Sequence, residues 1–360
     1  MEERIGICAL NLTELEQWFA SRQEPAYRAR QVLDWVYRRR ATTVDAMTNL
    51  PAATRRKMAE EFALRTLEPA RVTGSGDTTR KFLFRLGDGA LIETVLIPAN
   101  PALYGSRSDR RTLCVSTQVG CAYGCRFCAS GLAGWTRNLR AGEIVEQILR
   151  VEELSGEKVN NLVFMGMGEP LANFAEVMRA VSIINAEWGV GIGARHITIS
   201  TSGLAPKIRE LADQPLQVRL AISLHGATDE VREQIMPINR KYNVASLVEA
   251  CEYYVSKKKQ RITLEYILIE NLNERPEHAA ALARVANRLN AKVNLIPYNQ
   301  VAGLPWSRPS ETRQQHFYNA LLARGVTATI RREKGHDIDA ACGQLRLQTL
   351  REQTPAAALA

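Results

Sequence analysis

Residues 112–128 read Thr112-Leu-Cys114-Val-Ser-Thr-Gln-Val-Gly120-Cys121-Ala-Tyr-Gly124-Cys125-Arg-Phe127-Cys128. The run Leu113 to Ser116 has the apolar, β-branched character of a buried strand, and the glycines after it announce a loop. Within that loop the cysteines fall as C-x3-C-x2-C. Three thiolates from one loop can bind three corners of a cubane iron–sulfur cluster and leave the fourth iron open. A structural zinc site would want four ligands, and no partner CxxC or HxxxH pair is present. A chance group of buried thiols is the remaining reading, and Gly120, Gly124 and Arg126 fit it poorly.

Working outward, the rhythm from Thr112 onward is strand, loop, helix. Predicted strands cover Leu113–Ser116, Leu162–Met165, His196–Ser200, Arg219–Leu224, Thr263–Ile269, Val293–Pro297 and Thr327–Arg331. Amphipathic helices separate most of them, as in Glu143–Leu154 with Ile144, Val145, Ile148 and Leu149 on one face. Such alternation predicts an α/β fold with a parallel sheet, and six or seven strands rather than eight predict a partial (β/α) barrel. Chemistry in such folds sits where strands end and loops begin.

Upstream, residues 1–66 read as a small helical, RNA-binding-like domain. Thr13 and Glu16 fit a capping box, and Ala29, Val32, Leu33 and Val36 recur at helical spacing before the basic run Arg38-Arg39-Arg40. A third helix starts near Pro51. Residues 67–106 read as a β-hairpin linker, with Phe82 and Phe84, a Gly87-Asp88-Gly89 turn and a return strand Ile92–Ile97. The core spans 107–346, and 347–360 form a flexible tail.

The chain has 360 residues, 46% hydrophobic and 24% charged, which excludes wholesale disorder. Its 47 Lys and Arg against 38 Asp and Glu favour a polyanionic partner, above all nucleic acid, although a solvated basic surface explains the same excess. No apolar run approaches a bilayer span and the start, Met-Glu-Glu-Arg, lacks a secretory h-region, so a cytosolic protein without membrane contact is expected. Seven cysteines, three of them crowded together, point to metal or redox chemistry rather than a disulfide framework.

The cysteine loop, with an aromatic before its last cysteine, resembles the radical S-adenosylmethionine superfamily. Met165-Gly-Met-Gly-Glu-Pro170, Ser223-Leu-His225, Met236-Pro-Ile-Asn239 and Asp337-Ile-Asp-Ala-Ala-Cys-Gly-Gln-Leu345 together resemble the RlmN family of RNA adenine methyltransferases, from the N-terminal helices to about Leu345. The resemblance implies a partial barrel of radical S-adenosylmethionine type. It implies that Cys121, Cys125 and Cys128 hold a 4Fe-4S cluster, and that S-adenosylmethionine is used twice per turnover. Gly168, Glu169, Ser200, Ser223, Leu224 (through its backbone), His225 and Asn299 would surround that cofactor. Cys342 would carry the methyl group as S-methylcysteine, Cys114 would be the resolving thiol that pairs with it as a disulfide, and Glu93 would accept a proton. The implied product is C2-methyladenosine in the peptidyl-transferase centre of 23S rRNA and at adenosine 37 of tRNA. Further implications are a flavodoxin-type electron donor and a monomer.

Without the resemblance several of these residues read differently. Met165-Gly-Met-Gly is then a tight turn, His225 a structural histidine, Cys342 part of a close-packed turn, and Glu93 the solvent face of an edge strand. Cys8 and Cys251 match no motif, and Cys251 reads as a small core residue. Two rivals share most of the same sequence features. A Cfr-type enzyme would methylate adenine C8 in the same rRNA, and a non-catalytic RNA-binding protein could carry a structural or redox-sensing cluster.

Overall fold

The computed structural model describes residues 4–75, 78–99, 108–132, 134–301 and 303–331, with Leu345, Arg346 and Thr349. At the N-terminus, strands β1 (Ile5–Gly6) and β2 (Phe62–Ala63) pair in parallel around helices α1 (Leu12–Ala20), α2 (Arg28–Tyr37) and α3 (Ala52–Glu61). The capping box of α1 lies two residues earlier than Thr13 and Glu16 suggested. The Asn11 side chain accepts the Glu14 N–H at 2.9 Å, and the Asn11 N–H donates back to the Glu14 carboxylate at 2.8 Å. Asparagine caps as well as threonine, and the extended backbone at Asn11 is what a cap residue needs. The basic run after α2 is bound into the protein: Arg39 pairs with Asp34 and lies over Trp35, and Arg40 pairs with Glu152.

Ten strands form one sheet in the order β14-β13-β12-β11-β10-β9-β6-β5-β4-β3. Seven of them run parallel: β6 (Arg111–Cys114), β9 (Asn161–Phe164), β10 (Ile197–Thr201), β11 (Arg219–Ser223), β12 (Thr263–Leu268), β13 (Lys292–Pro297) and β14 (Ala328–Ile330). These are the seven strands expected from the sequence, each within two residues at either end. One face of these strands carries fully enclosed Leu113, Leu162, Ile199, Ile222, Leu264 and Leu295, and the other lines the barrel interior. The helices between them, such as Ala141–Ser155 and Val244–Lys258, complete the partial barrel. Cys251, on the second of these, is buried as a core residue.

The segment read as a linker extends that sheet. Strands β3 (Glu68–Gly74), β4 (Arg80–Arg85) and β5 (Leu91–Pro98) are antiparallel, and β5 pairs with β6 so that Val95 faces Cys114. Glu93 therefore sits on an interior strand and is 2% exposed, not on the solvent face of an edge. Strand β3 escapes the sequence pattern because it is the true edge: nearly every residue in it is exposed, with Pro69 inside it, so no apolar alternation marks it. A separate hairpin, β7 (Gln118–Gly120) with β8 (Trp135–Asn138), frames the cysteine loop. Among the described residues no helix is long and apolar enough to cross a membrane.

Candidate active site

The cysteine loop leaves the carboxyl end of β6 and is held by its backbone. The Cys121 N–H donates to Gly134 O at 2.9 Å, Arg126 N–H to Ile235 O at 2.9 Å, and Cys128 N–H to Cys125 O at 3.0 Å. Gly120 has φ +79°, and a Cβ there would stand 1.8 Å from Gly134 O, so only glycine allows the loop to close. Cys121, Cys125 and Cys128 are half-buried. Burial raises the Cys121 thiol to about 11, opposed by a backbone N–H at Tyr123 and reinforced by the charges of Cys128 and Glu169. Burial also raises Cys125, with Cys128, Cys121 and Glu169 adding to it. Three thiols that disfavour one another's ionisation fit a strongly cationic guest, whose charge would hold them as thiolates. Among the described residues no three His, Cys, Asp or Glu side chains are grouped to hold a single metal ion. Three thiols from one C-x3-C-x2-C loop match in number the ligands of a cubane cluster with one open iron.

Beyond the end of β9, Gly168 has φ +100° and lies where a Cβ would be 2.6 Å from the Gln118 side chain. That close approach packs the Met165–Glu169 turn against β7. Glu169 is 3% exposed; its carboxylate accepts the Leu171 N–H at 3.0 Å and the Ser202 N–H at 2.7 Å. Burial raises its pKa and these hydrogen bonds oppose the rise. A carboxylate with two oxygens retains lone pairs beyond these two donors for a cationic group.

At the ends of β10 and β11 the hydroxyls of Ser200 and Ser223 lie 3.4 Å apart. His225 follows with φ +55°, a conformation that the surroundings over-determine. Its Nδ1 accepts the Ile267 N–H at 3.1 Å, its carbonyl accepts from Asn273 at 2.9 Å, and its ring stands edge-on to Phe127 at 4.9 Å. Burial, with the Arg232 charge behind it, lowers the imidazole to about 3, so the ring is neutral and its Nε2–H is left as a donor. The Leu224 backbone is taken up by the protein: its N–H donates to Glu265 O and its carbonyl accepts from Arg232.

A cavity of about 270 Å³ brings Cys114, Cys128, His225 and Asn299 together with apolar walls from Val163, Met165 and Ile267. Among the described residues Asn299 Oδ1 is buried without a hydrogen-bond partner, an acceptor that a polar guest in this cavity would satisfy. Glu93 lies on the neighbouring strand, paired with the fully buried Lys81 at 3.0 Å and accepting the Arg346 N–H. Cys342 lies outside the described residues, as does its pairing with Cys114.

Several residues that build the site went unread in the sequence. Fully buried Arg232 donates to Leu224 O, Ser202 O and the Asn239 side chain at once, tying three loops together. Gln147 accepts the Ser116 N–H at 2.9 Å and the Thr94 hydroxyl at 2.8 Å, and Asn173 donates to Thr117 O and Leu139 O. A lone Arg or Gln on a helix, or an Asn in the turn before one, gives no signal of this kind.

The parallel sheet, the three-cysteine loop after its first parallel strand and the cavity beside it define a radical S-adenosylmethionine core. The Radical SAM superfamily model matches residues 115–283, and the model of the ribosomal RNA large subunit methyltransferase N-terminal domain matches residues 5–64. The chain is 56% identical over 328 residues, 91% of each chain, to the "Probable dual-specificity RNA methyltransferase RlmN" of Akkermansia muciniphila. It is 46% identical over 355 residues to the protein of the same name from Bacillus subtilis, covering 98% of this chain and 96% of that one. The crystal structure of a radical SAM methyltransferase from Sphaerobacter thermophilus matches with a TM-score of 0.89 at 46% identity, over 94% of this chain and 98% of that one. The chain belongs to the RlmN family of radical S-adenosylmethionine methyltransferases, whose members use a 4Fe-4S cluster and S-adenosylmethionine.

Proposed function

We propose that this enzyme methylates C2 of adenine in RNA, in the peptidyl-transferase centre of 23S rRNA and at adenosine 37 of tRNA. The observation that carries the reading is the placement of Cys114, a thiol outside the cluster triplet, in the same cavity as Cys128. C2 of adenine is electron-poor, so a polar methyl transfer to it has no nucleophile; a covalent detour divides the step. Cys121, Cys125 and Cys128 hold the cluster, and Glu169, Ser200, Ser223, His225 and Asn299 orient S-adenosylmethionine, with Gly168 allowing the turn that carries Glu169 to pack on Gln118 and Leu224 contributing through its backbone. When bound, this pair supplies a methyl group for a thiol and, from a second cofactor molecule and an electron of a flavodoxin-type donor, a radical able to take hydrogen from carbon.

Cys342 would carry the methyl group and, once one hydrogen is taken from it, would be joined through that carbon to the base, the unpaired electron of the adduct passing back to the cluster. Glu93 would then take the ring proton. The Cys114 thiolate would attack the Cys342 sulfur, and the carbon–sulfur bond would break with its electron pair on the methylene carbon, which takes up a proton to become the methyl group; the methylated base leaves with a Cys114–Cys342 disulfide behind it. Reduction by cellular thiols resets the pair. The Lys81 ammonium stands 3.0 Å from the Glu93 carboxylate and fixes its position on the strand.

The test uses anaerobically reconstituted protein, a reductant, RNA lacking the modification and trideuteromethyl S-adenosylmethionine. Mass spectrometry of the digested RNA is expected to give C2-methyladenosine retaining two of three deuteriums. An intact trideuteromethyl group would overturn the radical route, and a C8 product would make this a Cfr-type enzyme.

A further inference from the structure

The opposite end of the barrel carries a second and much larger cavity. Its volume is about 1260 Å³, above the ~300–1,000 Å³ of small-molecule clefts. It opens where the parallel strands begin, between residues such as Thr112, Thr198, Thr263 and Thr327. Among the described residues nine lysines and arginines line it against one carboxylate, a far more basic ratio than the 47 against 38 of the whole chain. That one carboxylate, Glu265, is buried and bonded to Asn294 at 2.7 Å.

Some of the cations serve the fold. Lys258 donates to Gln214 O and Leu216 O, and Lys257 faces Asp213 at 3.7 Å. Arg195, Arg219, Lys259 and Lys292 are different: all four are exposed, and among the described residues none pairs with a carboxylate. Among the described residues no aromatic side chain lines the opening, which leaves charge rather than base stacking as its means of recognition. This cavity and the smaller one holding Cys114 and Cys128 share Ile97, Val163, Met165 and Arg331 as walls. The two cavities therefore adjoin, with these four side chains standing between the basic mouth and the thiols.

We infer that the amino-end mouth of the barrel is the RNA-docking surface, gripping phosphates with Arg195, Arg219, Lys259 and Lys292 while the target adenine passes inward between Val163 and Met165. This inference rests on the RNA reading above. Because the grip is through phosphates, it is indifferent to sequence, as an enzyme with more than one RNA target requires.

The experiment uses reconstituted full-length protein and a fluorescent RNA stem-loop with an unmodified adenosine in its loop. Anisotropy titrations across a series of KCl concentrations compare wild type with the combined variant Arg195→Ala, Arg219→Ala, Lys259→Ala, Lys292→Ala. Affinity is expected to fall at least ~10-fold near 0.15 M salt. The slope of log affinity against log salt is expected to flatten by about 3, at about 0.7 for each single-strand phosphate no longer neutralised. Turnover at saturating RNA should persist with a raised KM. Lys292→Glu alone gives the same readings, scaled down, should the combined variant melt early. Wild-type affinity, slope and KM in these variants would overturn the docking surface and leave the methyltransferase reading intact. Charge-dependent binding at this mouth with no methyladenosine from wild type would do the reverse.

Discussion

The two ends of the barrel are built on opposite principles. At the carboxyl end, polar groups are buried and nearly all committed: Glu169 to two N–H donors, His225 to Ile267 and Asn273, Arg232 to three acceptors. At the amino end, Arg195, Arg219, Lys259 and Lys292 are exposed and pair with no carboxylate among the described residues. Buried polar networks hold one geometry because breaking any member leaves the rest unsatisfied. Exposed like charges hold no geometry but create a field. The first arrangement suits a small ligand held in one pose; the second suits a flexible polyanion.

The contrast can be broken in several places, and the largest effect is expected at the thiols. Cys128→Ala should lose iron and more than ~10³-fold in methylation together, whereas Cys114→Ala should keep its iron and accumulate a protein–RNA adduct. Iron analysis and denaturing gels separate the two, and an iron-loaded, active Cys128→Ala would end the ligand assignment.

Next in size are the buried charges. Arg232→Met leaves Leu224 O, Ser202 O and Asn239 without their shared donor, and Lys81→Met strands Glu93; each should cost about 3–5 kcal/mol of stability in urea unfolding. A loss below ~1 kcal/mol for Arg232→Met would show that the carboxyl end is not the rigid half.

Gly168→Ala forces a Cβ to within 2.6 Å of Gln118 from a left-handed backbone. It should destabilise by about 1–3 kcal/mol and weaken S-adenosylmethionine binding measured calorimetrically. Cofactor affinity at the wild-type value would separate this turn from the cofactor site.

The smallest effects belong to exposed groups. Arg219→Ala should leave the melting temperature unchanged within error, since its side chain is exposed and pairs with no carboxylate among the described residues. The hydrogen bond from Arg137 lowers the pKa of Asp88 in the hairpin turn, despite its partial burial. A depressed folded-state value makes that contribution present above the unfolded aspartate pKa near 4 and lost as pH falls below it. Asp88→Asn should therefore flatten the acid side of the stability profile by less than ~1 kcal/mol, and an unchanged profile would remove Asp88 from the linkage.

By itself the sequence determined the seven parallel strands and the helices between them, because each strand carries enclosed β-branched and aliphatic residues at alternate positions and each helix an apolar stripe that packs on them. It also determined the cluster loop, since C-x3-C-x2-C with its glycines is a local motif. What only tertiary structure decided is everything set by interactions across chain distance. Glu93 looks like a surface residue until β5 is seen pairing with β6 on one side and β4 on the other. The edge strand Glu68–Gly74 has no pattern because it buries almost nothing. Asn11 rather than Thr13 caps α1, a choice between residues of nearly equal capping strength that the packing of the helix settles. Arg232 is an ordinary helical arginine in sequence and the knot of three loops in space. The net positive charge was legible as a number, but its concentration at the barrel mouth was not: Arg195, Arg219, Lys259 and Lys292 come from four separate segments that only strand order brings to one opening.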